Sequence, residues 1–133
     1  MTADQRDFLR SKTFAVAGAS NNREKYGNIV YRALRDFARP DRDVYPIHPS
    51  LDHVESDPAF SSVADLPLVP EALSIVTPPL ATRQIVTAAI EAGMKTIWMQ
   101  PGAEDDQAIA AARGAGITVI AGGPCILVAM KIL

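Results

Sequence analysis

The chain reads as an α/β protein, a single doubly wound and mainly parallel five-stranded sheet with helices on both faces. Three observations predict this. Short apolar runs alternate with longer stretches of helical periodicity from one end to the other. The runs are apolar or β-branched throughout, as strands buried on both faces are, and turn chemistry follows each of them. At 133 residues the length suits one domain, residues 1–133, with a core of its own.

An opening helix is expected near Ala3 to Arg10, and the first strand at Thr13 to Ala17. Tyr26 to Ala38 follows as a helix with Ile29, Val30, Ala33, Leu34 and Phe37 on one face. The second strand is Asp43 to Ile47. From Pro49 to Leu68 the pattern is irregular, and AFSSVADLP has room for a short edge strand and a helical turn. The third main strand, Ala72 to Thr77, leads into a helix from Leu80 to Glu91 built on Ile85, Val86, Ala89 and Ile90, which Gly93 ends. Thr96 to Gln100, a helix over Asp105 to Arg113 with Gly116 behind it, Thr118 to Ala121 and a closing helix near Ile126 to Ile132 complete the map.

Composition excludes several classes. The formal net charge is -2 and the 13 Lys and Arg residues form no basic stripe, so nucleic acid is not an expected partner. No apolar run approaches the ~20 residues that span a bilayer, so no membrane role is expected. Cys125 is the sole cysteine, which excludes an internal disulfide framework and fits a reducing, cytoplasmic setting. His48 and His53 share no ligand spacing with it, so no metal site is expected.

In an open α/β sheet, ligands gather beyond the carboxyl ends of the strands. The first such turn holds Gly18, Ala19, Ser20, Asn21, Arg23 and Lys25, and then Tyr26 and Gly27 open a helix. A glycine for close approach, a helix N-terminus, polar side chains and two cations make an anion cradle, though a tight turn with solvated charges fits the same residues. GxGxxG is absent. After the second strand stand His48 and Pro49, where an NAD site would place a carboxylate. His48 suits a phosphorylated ribose, and it also reads as a simple loop histidine. Thr77, Pro78 and Pro79 offer a flat apolar wall, or merely a helix start. Gln100, Pro101 and Gly102 are expected to face a ligand with backbone donors, whereas Glu104, Asp105 and Asp106 read as structural acids at a helix start. Cys125 reads as a buried structural thiol. All five turns are expected to meet at one groove.

The segments GASNNREKYGN, YPIHP, SSVADLP, IVTPP, WMQPGAE and PCILV, in this order, resemble the family of small stand-alone CoA-binding proteins. That domain also opens the succinyl-CoA synthetase α-subunit and related acyl-CoA synthetases. The resemblance implies a Rossmann-like fold with CoA across the strand ends. Gly18, Ala19, Ser20, Arg23 and Tyr26 match the phosphate loop, Thr77, Pro78 and Pro79 the middle loop, and Gln100, Pro101 and Gly102 the last. In the larger synthetases a separate domain supplies the chemistry, and this chain is expected to lack one.

The expected function is non-catalytic binding of coenzyme A or acyl-CoA, a small-molecule nucleotide cofactor. Two alternatives stand beside it: an NAD(P)-dependent oxidoreductase, and a redox or regulatory module in which Cys125 meets the pantetheine thiol.

Overall fold

Strand order and register place the candidate turns. The computed structural model describes residues 1–132; Leu133, the last residue of the expected domain, lies outside them. The elements are α1 (Ala3–Leu9), β1 (Thr13–Ala17), α2 (Tyr26–Ala38), β2 (Asp43–Ile47), β3 (His53–Val54), β4 (Asp57–Pro58), β5 (Ala72–Ile75), α3 (Pro79–Ala92), β6 (Thr96–Met99), α4 (Asp106–Gly114), β7 (Thr118–Ile120) and α5 (Ile126–Ile132). The main sheet runs β2-β1-β5-β6-β7, and all its pairings are parallel. The chain winds outward from β1 to one edge and from β5 to the other. The order therefore reverses between β1 and β5, the point where doubly wound sheets open a crevice at their carboxyl ends.

The two-residue period of β1 divides the core. Phe14 and Val16 face α1, α2 and α5 with Phe8, Val30, Leu34, Trp98 and Ile126, while Ala15 and Ala17 face α3 and α4 with Val86, Ala89 and Ala112. The phase of α2 differs from the expected one. Its fully buried positions are Gly27, Asn28, Val30, Tyr31, Leu34 and Ala38, and Ile29, Ala33 and Phe37 are only half-buried. Tyr31 tolerates burial because Asp57 accepts its hydroxyl proton at 2.6 Å.

The irregular stretch folds as a small antiparallel hairpin, β3 with β4, whose turn residues Glu55 and Ser56 have φ of 49° and 69°. Phe60 then bridges Ile47 at the sheet edge, and Ser62 caps a 3-10 turn over Val63–Asp65. Of the edge strand and helical turn expected from AFSSVADLP, the helical turn is present, while the strand is reduced to the single Phe60–Ile47 bridge. Gly93 ends α3 in the left-handed region, as its place in the sequence requires.

Candidate functional site

A groove of about 640 Å³ opens over the β1/β5 reversal, within the usual range for small-molecule sites. Three strand-end turns form it. From the first come Gly18, Ser20, Lys25, Tyr26 and Gly27; from the second, His48 and Pro49; from the third, Val76, Thr77 and Pro78.

The β1–α2 turn is shaped from within. A Cβ on Gly18 would strike the Val76 carbonyl, and one on Gly27 would strike the Gly18 carbonyl. Gly27 thus lets the first turn of α2 sit directly on the end of β1, and Gly18 lets that end approach the backbone after β5, which differs from the expected role of admitting a ligand. Asn22 amide donates to Ser20 Oγ at 3.0 Å and Lys25 amide to Asn22 carbonyl at 3.0 Å, so the turn holds itself. Ser20 keeps its hydroxyl proton for an outside acceptor.

What the turn leaves open is the end of the helix. Lys25 is the N-cap of α2 but gives no side-chain capping bond, and the first turn carries no acid. The opening amides of a helix have no intrahelical partner and bear a partial positive charge. Tyr26 and Gly27, which open α2, line the groove with Lys25 beside them.

His48 accepts the Ser50 amide on Nδ1 at 3.1 Å. The ring proton of the neutral tautomer is therefore on Nε2, available as a donor. Thr77 Oγ1 lies 2.9 Å from Thr82 Oγ1, and Thr82 donates to Ala103 carbonyl at 2.8 Å, which anchors the third turn to the sheet's far half. The inner wall between α3 and the 3-10 turn is apolar, with Ile47, Val63, Ala81 and Ile85. Ser61, Ser62, Gln84 and Ala88 complete the lining. Sequence reasoning missed this second half of the groove. The i, i+4, i+7 spacing of Ala81, Ile85 and Ala88 was its available signal.

Several expected site residues are used elsewhere. The Ala19 methyl is buried in the core. Asn21 donates to His53 carbonyl at 2.8 Å and accepts from Glu55 amide at 3.0 Å, so its amide clasps the hairpin. Arg23 pairs with Glu55 at 3.3 Å and does not line the groove. Pro79 is the exposed first residue of α3. Gln100 is fully buried; it donates to Ser74 Oγ at 3.1 Å and accepts the Ile126 amide at 2.8 Å. Both ends of that amide are spent inside the protein. Pro101 and Gly102 lie outside the groove, and Gly102 amide donates to Glu104 Oε1 at 2.6 Å. The convergence of five turns thus reduces to three, because the β6–α4 turn satisfies its own donors and the turn after β7 does not reach the groove.

Tyr26 connects the groove to Cys125. Burial, then the neighbouring Cys125 thiol, pushes the phenol well above its ordinary range. Burial also works against ionisation of Cys125, but the Tyr26 hydroxyl and the Val128 and Leu127 amides outweigh it and draw that thiol below its ordinary value. Cys125 is free and only half-buried, where the sequence suggests a buried thiol.

Residues 12–131 match the model of the family described as CoA binding domain. The chain belongs to that family. This CoA binding domain is 29% identical over 90 residues to the alpha subunit of an ADP-forming acetate–CoA ligase II of Pyrococcus furiosus, covering 68% of this chain and 19% of that one. It thus spans about a fifth of the curated relative's length. A hypothetical protein from Pyrococcus horikoshii OT3 superposes with a TM-score of 0.91 at 31% identity, over all of this chain and 92% of that one. The dinucleotide forming acetyl-coenzyme A synthetase 1 of Ca. Korarchaeum cryptofilum superposes with a TM-score of 0.75 at 25% identity, over 90% of this domain and 27% of the synthetase. The Rossmann-like α/β fold is common to all of these solved structures. Among the described residues no helix is long and apolar enough to cross a membrane.

Proposed function

We propose that this domain holds coenzyme A or an acyl-CoA in the β1/β5 groove and carries out no reaction on it. The observation that carries this is the open N-terminus of α2. A thirteen-residue helix directs uncapped amides into a groove that also offers Lys25, the Ser20 hydroxyl and His48 Nε2. Those donors suit a pyrophosphate. The apolar wall of Val63, Ala81 and Ile85, rimmed by Ser61, Ser62 and Gln84, suits a flat purine base.

CoA supplies a thiol that carries acyl groups as thioesters. Towards it the chain contributes binding and orientation. Among the described residues, Lys25, Tyr26 and His48 are the ionisable side chains lining the groove, with no carboxylate beside them to pair as acid and base. Tyr26 is held protonated by burial. Membership of the CoA binding domain family supports the choice of ligand, and the missing carboxylate after β2 supports CoA over NAD. One free cysteine fits a reducing, cytoplasmic setting.

Calorimetric titration with CoA and, separately, NADH tests the reading. Saturable one-to-one binding of CoA with none of NADH is expected. Tighter binding of NADH than of CoA would overturn it.

A further inference from the structure

Resting on that reading, the geometry points to Glu55 as the residue that sets the affinity of the phosphate turn, by acting as an internal anion that Arg23 exchanges for a ligand phosphate. Glu55 belongs to the hairpin turn, far from β1 in sequence. Its carboxylate accepts from Arg23 Nε at 3.3 Å and from Asn28 Nδ2 at 3.1 Å, and its side chain is only 16% exposed. Asn28 is fully buried in the first turn of α2 and also donates to Ser20 carbonyl at 2.6 Å. A carboxylate therefore stands at the rim of the turn that the groove presents to anions.

The hairpin is held so as to place it there. Asn21 binds His53 carbonyl and Glu55 amide, and Arg35 donates to Glu55 carbonyl at 3.2 Å. Glu55 itself sits at φ 49°, where a residue with a side chain is disfavoured. Arg23 lies between Ser20 and Lys25, which both line the groove, yet does not line it itself. The Arg23 side chain is 64% exposed. A single-bonded pair whose cation is open to solvent is weak, and a phosphate offers a guanidinium stronger, bidentate bonds than this one.

The test compares wild type, E55Q, R23Q and the double variant by calorimetry, with CoA and with inorganic pyrophosphate. Glutamine keeps an oxygen to accept from Asn28, and thermal melts confirm that each variant is folded. E55Q is expected to bind both ligands about three- to fivefold more tightly, as the loss of one weak competing pair implies. R23Q is expected to bind about tenfold more weakly, as loss of a charge-assisted bond implies, and E55Q is expected to have no effect in the R23Q background. Wild type failing to bind CoA while E55Q still gains for pyrophosphate would defeat the functional reading alone. Equal affinity of E55Q and wild type for both ligands, or an undiminished E55Q gain without Arg23, would overturn this inference.

Discussion

The β1–α2 and β6–α4 turns have the same layout, a buried strand, a glycine at positive φ and a helix, yet they put their amides to opposite uses. At α4 the protein supplies the anions. Asp105 Oδ2 accepts the Ala108 amide at 2.9 Å and Arg83 Nε at 2.9 Å, while Glu104 takes the Gly102 amide. Bonds from Arg83 and the Ala108 amide hold the Asp105 carboxyl below its ordinary value. At α2 neither a capping bond nor a first-turn acid is present. A helix start that the sequence leaves uncapped keeps its amides free for an outside anion.

Exchange of the two glycines for alanine gives the largest contrast. At Gly27 the added methyl meets the Gly18 carbonyl, and α2 must leave the strand end. G27A should lose about 3 kcal/mol or more of stability in urea unfolding and should not bind CoA. At Gly102 the space is open and only the φ of 95° resists, so G102A should cost ~1–2 kcal/mol and bind CoA normally.

Giving α2 the cap that α4 has is the sharper experiment. K25D should stabilise the fold by about 0.5–1 kcal/mol through a new N-cap bond, while CoA affinity falls about tenfold or more because a carboxylate now occupies the anion position. Thermal melts and calorimetry on one sample read both effects. Gain of stability with loss of binding is the signature of an open helix end.

The hairpin that braces the open turn gives a pH dependence. Burial opposes the charge on Asp57, but bonds from Tyr31, Arg35 and Arg39 outweigh it and hold the carboxyl below its ordinary 3.8. A lowered native pKa contributes stability that is complete above about pH 4 and is lost as pH falls through the native value. Melting temperature should therefore drop below pH 4, and D57N should flatten that drop. The smallest effect is expected at Ser56, exposed at φ 69°. S56G should gain ~0.5–1 kcal/mol in denaturant titrations and leave binding unchanged.

Strands and helices were legible because burial writes its period into the chain. The β1–α2 turn was legible as a strand-to-helix turn, but the reason for Gly18, its close approach to the Val76 carbonyl, was not. The β6–α4 turn was misread for a physical reason: Gly102 advertises a free donor, but the acceptor that takes it is Glu104, two residues on, which the sequence shows only as a helix-start acid. Gln100 was misread because its partners, Ser74 and the Ile126 amide, are 26 residues away on either side. The hairpin left no local trace. Glu55–Ser56 is not a turn dipeptide, and its left-handed backbone is imposed by Asn21, Tyr31, Arg35 and Arg39 through contacts that only the fold brings together.

Amide chemical shifts, followed as CoA is added to the isotopically labelled domain, test the account most directly. The amides of Ser20, Tyr26 and Gly27 should move together and saturate, while those of Gly102, Ala103 and Ala108 stay in place. Shifts centred on Gly102 to Ala108, with the start of α2 unmoved, would contradict it.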